Sequence, residues 1–434
     1  MKTDPGPAGE RLDIPHVKFR QETLSNGLQV ILRPNRRVPL VHISLHYRVG
    51  SSYEVPGLSG LAHLFEHMMF QGSGNVAKNE HGRYVDEAGG RWNATTSKDR
   101  TAYHETLPSN CLDLGLWLEA DRMNSLEVTA ENFENQRQTV IEEKKQSYDN
   151  RPYGRAFLRL DDLAYESWEY AHPIIGAVED LKRATLADAR EFHRTHYGPG
   201  NAVLVLSGDL EEAAALESIH RYFGPIPDRT RSGRPVFREP SQQEEKRETI
   251  GDPLAVLPLV IIGYHMPPVG SPEYYALSIL ALLLTDGSSS RLYRQLVYER
   301  NWVAGLSAGP NQYRGPGMFD IFLQIQDGVP VDPVLDLVEA ELGRLCREVV
   351  TPQELEKARN QLAFRFVRRL EKVSDVGEIL AHHAVFYGDA GEINREWSRY
   401  AETTSEDILR AAAETFRSEN RTLLLVEPGQ GGQG

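Results

Sequence analysis

The chain has 434 residues, with 48 Lys and Arg against 62 Asp and Glu and a formal net charge of −14. That balance disfavours a general nucleic-acid binder, and 40% hydrophobic with 25% charged residues excludes a disordered chain. The length exceeds one compact core, so two or more domains are expected. No apolar run approaches the roughly 20 residues of a membrane span. The opening residues, MKTDPGPAGERLDIP, contain no apolar signal core. A cytoplasmic protein is therefore expected, with an exported protein whose leader has been removed as the alternative. Cys111 and Cys346 cannot supply a multi-cysteine metal site and read as free thiols.

In chain order, Leu28–Arg33 and Leu40–Arg48 read as strands. A polar turn at Gly50-Ser51-Ser52 follows, and a helix is expected to start near Pro56-Gly57-Leu58 and stop before Gly72. Arg91–Ser97 and Arg100–Leu107 form a predicted hairpin, and helical periodicity covers Asn110–Ser125 and Ala130–Tyr148. Asn201–Ser207 is a short buried strand. Proline and charge mark a linker over 227–249, between an N-terminal domain, 1–226, and a C-terminal domain, 250–434. The opening plan then recurs: strand Leu259–His265, the segment Val269-Gly270-Ser271-Pro272-Glu273, and an apolar helix over Tyr274–Leu284. Val49-Gly50-Ser51-Ser52, with Glu54, is the matching piece of the first half, which suggests an internal duplication.

The first helix carries His63-Leu64-Phe65-Glu66-His67 inside an otherwise apolar run. Burying two imidazoles and a carboxylate costs several kcal/mol unless something compensates them. A divalent ion would: residues i and i+4 share one helix face, so both histidines can reach it. Glu66 stands beside that face, close enough to handle a proton of activated water. The order H-x-x-E-H is the reverse of the zinc-peptidase motif H-E-x-x-H. A catalytic site needs a third ligand. In Gln136–Glu143, residues Phe133, Val140 and Ile141 mark the buried face; Glu142 projects away from it and Glu143 flanks it, which favours Glu143. The second-half helix has no such residues, so one catalytic and one degenerate half are expected.

These residues resemble the pitrilysin/insulinase family of inverted-motif zinc peptidases, in its short bacterial and mitochondrial-processing-peptidase-like form. The resemblance rests on Gly60–Phe70, on Glu143 falling 76 residues after His67, and on Gly90-Arg91-Trp92-Asn93-Ala94-Thr95-Thr96. His172-Pro173 to Gly176, Tyr197–Asp209 and Gly287–Leu292 extend it over nearly the whole chain. It implies an α+β fold of two homologous α/β domains, each an antiparallel-rich sheet packed with helices, together forming half of a clamshell. It implies Zn²⁺ held by His63, His67 and Glu143, with Glu66 as general base. Peptides or unfolded segments would bind in extended form on Asn93 and Ala94, and Phe70 would line the pocket after the cleaved bond.

The chain departs from the family at several positions. Gln136 stands where many relatives carry a second glutamate, which retains hydrogen-bonding capacity and loses charge. Val297 and Ala304 align with an Arg and a Tyr that reach substrate across the chamber. A heterodimer with a sister subunit lacking the zinc motif is therefore expected, with a homodimer as the alternative. Arg151, Tyr153 and Arg155 after Glu143 give no acidic pocket for arginine. A non-catalytic scaffold of the same fold is the rival reading; intact His63, Glu66, His67 and Glu143 favour the enzyme. His81, His104, His193 and His196 lack ligand spacing, and Gly287 with its serines lacks a phosphate-loop G-K-[ST].

Overall fold

Alternation of β-branched residues with polar ones, broken by Gly and Asn turns, yields the first sheet in the computed structural model, which describes residues 14–230, 233 and 235–429. Its strands are β1 (Arg20–Thr23), β2 (Gln29–Pro34), β3 (Leu40–Tyr47), β4 (Arg91–Thr96), β5 (Thr101–Pro108) and β6 (Ala202–Gly208), in the order β1-β2-β6-β3-β5-β4. Only β2 and β6 run parallel. The second sheet contains β7 (Lys246–Asp252), β8 (Leu259–Met266), β9 (Val303–Pro310), β10 (Gly317–Ile325) and β11 (Arg421–Pro428), in the order β7-β11-β8-β10-β9. There β7 and β11 are the parallel pair. The order β2-β6-β3-β5-β4 thus maps strand for strand onto β7-β11-β8-β10-β9, with the parallel pair in the same place. The helix after β3, Leu61–Met68, corresponds to Pro272–Thr285 after β8.

The halves exchange helices. Residues of β3 that alternate with its core face turn toward the helix Val373–Phe386, which belongs to the second half of the sequence. Val376, Ile379 and Leu380 of that helix pack with Ile31, Val203 and Val205 of the first sheet. Conversely, Ala156, Leu160 and Ala164 on the helix Gly154–Ala164 pack with Ile261, Met318 and Leu424 of the second sheet. Each sheet therefore has one face covered by its own half and one by the other, so neither half buries its apolar surface alone.

Four expectations need correction. The segment 227–249 includes 231, 232 and 234, which lie outside the described residues, and its end, Lys246–Thr249, is strand rather than linker. The reason is its place at the sheet edge, where alternating residues stay solvated and the strand reads as a polar run. The helix that carries His63 and His67 starts at Leu61, three residues beyond the expected start, because Gly60 holds a left-handed φ of 94° ahead of it. The helix Ala130–Lys144 leaves α geometry at Lys145 and continues to Asp149 as a π turn. The helix placed over Asn110–Ser125 runs Leu112–Ser125, behind a short 3₁₀ turn. The signal reading falls on residues 1–15, of which 1–13 lie outside the described residues. Among the described residues no helix is long and apolar enough to cross a membrane.

Candidate metal centre

Helix Leu61–Met68 begins without a side-chain cap at Gly60. A buried carboxylate serves instead: Glu54 accepts the N–H of Gly60 at 2.8 Å and of Ala62 at 2.7 Å. This satisfies donors that a helix start leaves open and places negative charge at the positive end of the helix. His172 Nε2 sits 3.0 Å from the same carboxylate. Burial pushes the Glu54 pKa up, against the pull of His172 and the two amides. A Cβ on Gly60 would come within 2.9 Å of the Ile175 carbonyl oxygen, so the loop can approach only a glycine here.

Leu61, Ala62, Leu64, Phe65 and Met68 enter the core, which leaves His63 and His67 together on the remaining face. Their rings meet edge to face with centroids 4.9 Å apart. Glu143, from the helix Ala130–Lys144, brings its two carboxylate oxygens to 3.8 Å from His63 Nε2 and 3.2 Å from His67 Nε2. One donor atom from each of the three lies within 4.8 Å of the others. Glu142, one residue earlier, is exposed and pairs with Lys145 at 2.6 Å. Burial, then the neighbouring His67, lowers the His63 pKa to about 4, so its imidazole is neutral, the form that ligates. The hydrogen bond with His67 lowers the Glu143 pKa and keeps it a carboxylate. Two imidazole nitrogens and one carboxylate, from two helices, form a donor set that suits zinc with a position left open. Gln136, two turns back along the same helix, is buried.

Glu66 lies beside this cluster. Burial raises its pKa, while a 2.6 Å hydrogen bond from Thr96 Oγ1 opposes that rise and fixes the carboxylate. Thr96 is the last residue of β4, the outermost strand of the first sheet, so one edge strand both orients Glu66 and offers open backbone. Asn93 is exposed on that strand opposite His104, and Ala94, 8% exposed, lies opposite Tyr103. The Asn93 side-chain oxygen accepts the Ala94 N–H at 2.9 Å. Phe70 is half-buried, with its ring 4.7 Å from Trp92 of the edge strand and 5.5 Å from His81. Tyr103 donates its hydroxyl to the Phe65 carbonyl at 3.1 Å and so ties β5 to the helix that carries His63 and His67.

Sequence reasoning picked out His63, Glu66, His67 and Glu143, which the structure brings together. It missed Thr96, Glu54 and His172 as supporting residues. Thr96 was legible as a hydroxyl at the end of the predicted hairpin strand; nothing local links Glu54 to a histidine 118 positions away. Among the excluded histidines, His81 stands 3.6 Å from Glu105 and forms with it and Glu119 a second, fully buried group whose donor atoms lie within 4.8 Å of one another, and His104 approaches Glu378 at 3.6 Å.

Residues 29–178 match the family described as insulinase (peptidase family M16), and residues 183–362 match the one described as peptidase M16 inactive domain. The chain belongs to peptidase family M16. Zinc protease PqqE of Helicobacter pylori is 29% identical to this M16 chain over 414 residues, covering 95% of this chain and 93% of that protein. The uncharacterized zinc protease YmxG of Bacillus subtilis is 24% identical, over 94% of this chain and 98% of its own length. The crystal structure of a protease from Helicobacter pylori superposes with a TM-score of 0.91 at 28% identity, covering 95% of this chain and all (100%) of that one. The periplasmic protease PqqL of Escherichia coli shares the fold with a TM-score of 0.80 at 18% identity; 96% of this chain matches 48% of that one.

Proposed function

We propose that this M16 chain is the metal-bearing subunit of a zinc-dependent metalloendopeptidase that hydrolyses peptides or unfolded segments bound in extended form. The observation that carries the reading is the convergence of His63, His67 and Glu143 beside a desolvated Glu66 that is hydrogen-bonded to Thr96 on an open sheet edge. Zinc held there would supply Lewis acidity, polarising a carbonyl and bringing the pKa of water toward about 7. Glu66, its carboxylate oriented by Thr96, takes a proton from the attacking water and returns it to the leaving amine. The substrate pairs along β4 at Asn93 and Ala94, its carbonyl replacing the Asn93 side chain on the Ala94 N–H. Phe70, braced by Trp92, lines the pocket after the scissile bond. Zinc analysis with cleavage of a quenched peptide, with and without chelator, tests this. Chelation and Glu66→Gln should each abolish cleavage, and the substitution should leave zinc bound. Undiminished hydrolysis by Glu66→Gln would remove the general-base role, and a protein that takes up no zinc would leave the scaffold reading.

The second half supports a paired subunit. Val297 lies in the π-helical stretch Tyr293–Glu299 against the second core, and Ala304 is exposed on the edge strand β9. Neither side chain can hydrogen-bond a substrate. A sister subunit without the zinc motif would provide the missing Arg and Tyr, so the isolated chain cleaves poorly and the added sister restores the rate. Full activity of the isolated chain would favour the homodimer.

A further inference from the structure

A second cavity, of about 640 Å³, lies outside the metal centre, and none of His63, Glu66, His67, Glu143 or β4 lines it. Its size falls within the range of ligand sites. Its walls come from both halves of the chain: the end of the Glu143 helix, the turn before helix Gly154–Ala164, the stretch Trp168–Pro173, and the end of β7.

Three features of this cavity converge. The first is charge. Asp149 pairs with Arg155 at 3.5 Å, Arg159 with Glu248 at 2.6 Å and also with Asp162, and Asp252 accepts the N–H groups of Tyr153 at 2.6 Å and Leu254 at 2.8 Å. Lys144 and Arg151 keep no side-chain partner among the described residues, while the carboxylate of Asp252 is held by backbone N–H groups alone, so the two free cations face an anion whose acceptor sites are already taken. The second is backbone. β7 is the outermost strand of its sheet, and its residues Ile250–Asp252 face the cavity. At Gly251 a Cβ would meet nothing within 4 Å, so the face of the strand is open there, and no strand pairs with its outer edge among the described residues. The third is the apolar wall of Leu158, Trp168 and Pro253.

We propose that this cavity docks the C-terminal end of an extended peptide, its backbone pairing with β7, its last apolar side chain against Trp168, and its free carboxylate between Lys144 and Arg151. Strand addition supplies the main-chain hydrogen bonds, and where a peptide chain ends, the α-carboxylate is the anion it presents to two cations. A free carboxylate is also what peptide-bond hydrolysis creates, yet the docking does not depend on that reaction. The cavity wall residue His172 holds Glu54, the cap of the metal-bearing helix, so an occupant rests against the brace of the other site.

Titration calorimetry of the full chain with N-acetyl-Leu-Leu-Phe and with its C-terminal amide tests the proposal. Zinc-loaded Glu66→Gln protein, which should not turn the peptide over, and chelator-treated wild type are both used. The acid should bind at least about tenfold more tightly than the amide in both preparations, the difference expected for charged hydrogen bonds. The double variant Lys144→Gln/Arg151→Gln, with an unchanged melting temperature, should bring the acid down to the amide. Equal affinity for acid and amide, or an acid preference that survives in the double variant, would overturn the site. A preference lost on chelation would put the carboxylate on the metal instead. Decanoate binding as tightly as the peptide would overturn the pairing with β7.

Discussion

His46 Nε2 lies 3.2 Å from Oε2 of Glu378, a contact between β3 of the first half and a helix of the second. Glu378 also receives His42 at 3.1 Å and Ser44 at 2.6 Å, and His104 stands 3.6 Å away. Gly377 permits the approach, because a Cβ there would come within 2.6 Å of the His42 ring. One carboxylate thus joins a histidine-rich face of the first sheet to the helix that crosses over to cover it.

The arrangement makes the joint acid-sensitive. Burial lowers the pKa values of His46, His104 and His382 below 6.5, with Arg100 and neighbouring histidines lowering them further and, for His46 and His104, Glu378 opposing. Other charged groups near the helix include Arg369, Asp375 in its first turn, Asp389 beside His383, and Glu396 on His383 at 3.3 Å. Below 6.5 the unfolded chain therefore binds more protons than the folded one, and stability falls as pH drops through that value. The Glu378 pKa is held far below 4.5 by the histidines, chiefly His46, although burial alone would raise it. Its contribution is present above 4.5 and is lost on further acidification. Urea midpoints should be flat from pH 8 to 7 and decline from pH 6.5 to 5. Glu378→Gln should cost on the order of 2 kcal/mol at pH 7, discounted for a side chain 30% exposed. A midpoint that holds steady down to pH 5 would contradict the linkage.

Glu142 and Glu143 offer a paired control on the metal centre. Both are acidic and adjacent, but only Glu143 reaches the imidazoles, while Glu142 is bound to Lys145. Glu143→Gln should lower zinc affinity by roughly ten- to a hundredfold or more, as loss of a ligand requires at least the cost of a supporting group. Glu142→Gln should leave affinity within about twofold, since exposed pairs contribute under about 1 kcal/mol. Competition with a zinc-binding dye measures both. Equal losses would mean that the helix phase is misassigned.

Thr96 acts through Glu66, so its effect should divide unevenly between kinetic constants. Thr96→Val removes the 2.6 Å bond to the carboxylate and leaves β4 in place. We expect kcat to fall about tenfold with KM little changed, the loss of one hydrogen bond to a charged group. Thr96→Ser should recover most of the rate. Equal rises in KM for both variants would indicate damage to the edge strand instead.

The sequence exposed some levels of this structure and hid others. His63, Glu66 and His67 were legible because i, i+4 spacing on one helix is a local property, and Glu143 because helix phase separates it from Glu142. The duplication was visible in strand and turn signals, and it reappears in the matching strand orders of the two sheets. The helix exchange was not legible, since Val373–Phe386 and Gly154–Ala164 carry apolar faces that name no partner. Nor was the Glu378 joint, whose partners are 332 to 336 positions away. β7 was hidden because Lys246-Arg247-Glu248-Thr249 alternates in and out of solvent at an edge and has the composition of a loop.

Glu54 should control the metal centre from outside it. Its carboxylate accepts two N–H groups at the start of helix Leu61–Met68 and is itself held by His172. Glu54→Gln keeps the shape and loses the charge. The N–H groups of Gly60 and Ala62 reach different oxygens of this buried carboxylate, so in glutamine the amide oxygen takes one and the amide nitrogen faces the other donor. The cost should be about 2 kcal/mol of stability, the penalty of leaving one buried donor unpaired together with a weakened cap. Because the helix carries both His63 and His67 within its eight residues, fraying from Gly60 moves His63 first. Zinc affinity should therefore drop about tenfold while the Glu378 joint, which shares no contact with Glu54, keeps its pH profile. His172→Gln, which removes only the outer support, should show the same pattern at smaller size. Unchanged zinc affinity in Glu54→Gln, with stability lost, would show that the cap serves the fold alone and does not set the ligand geometry.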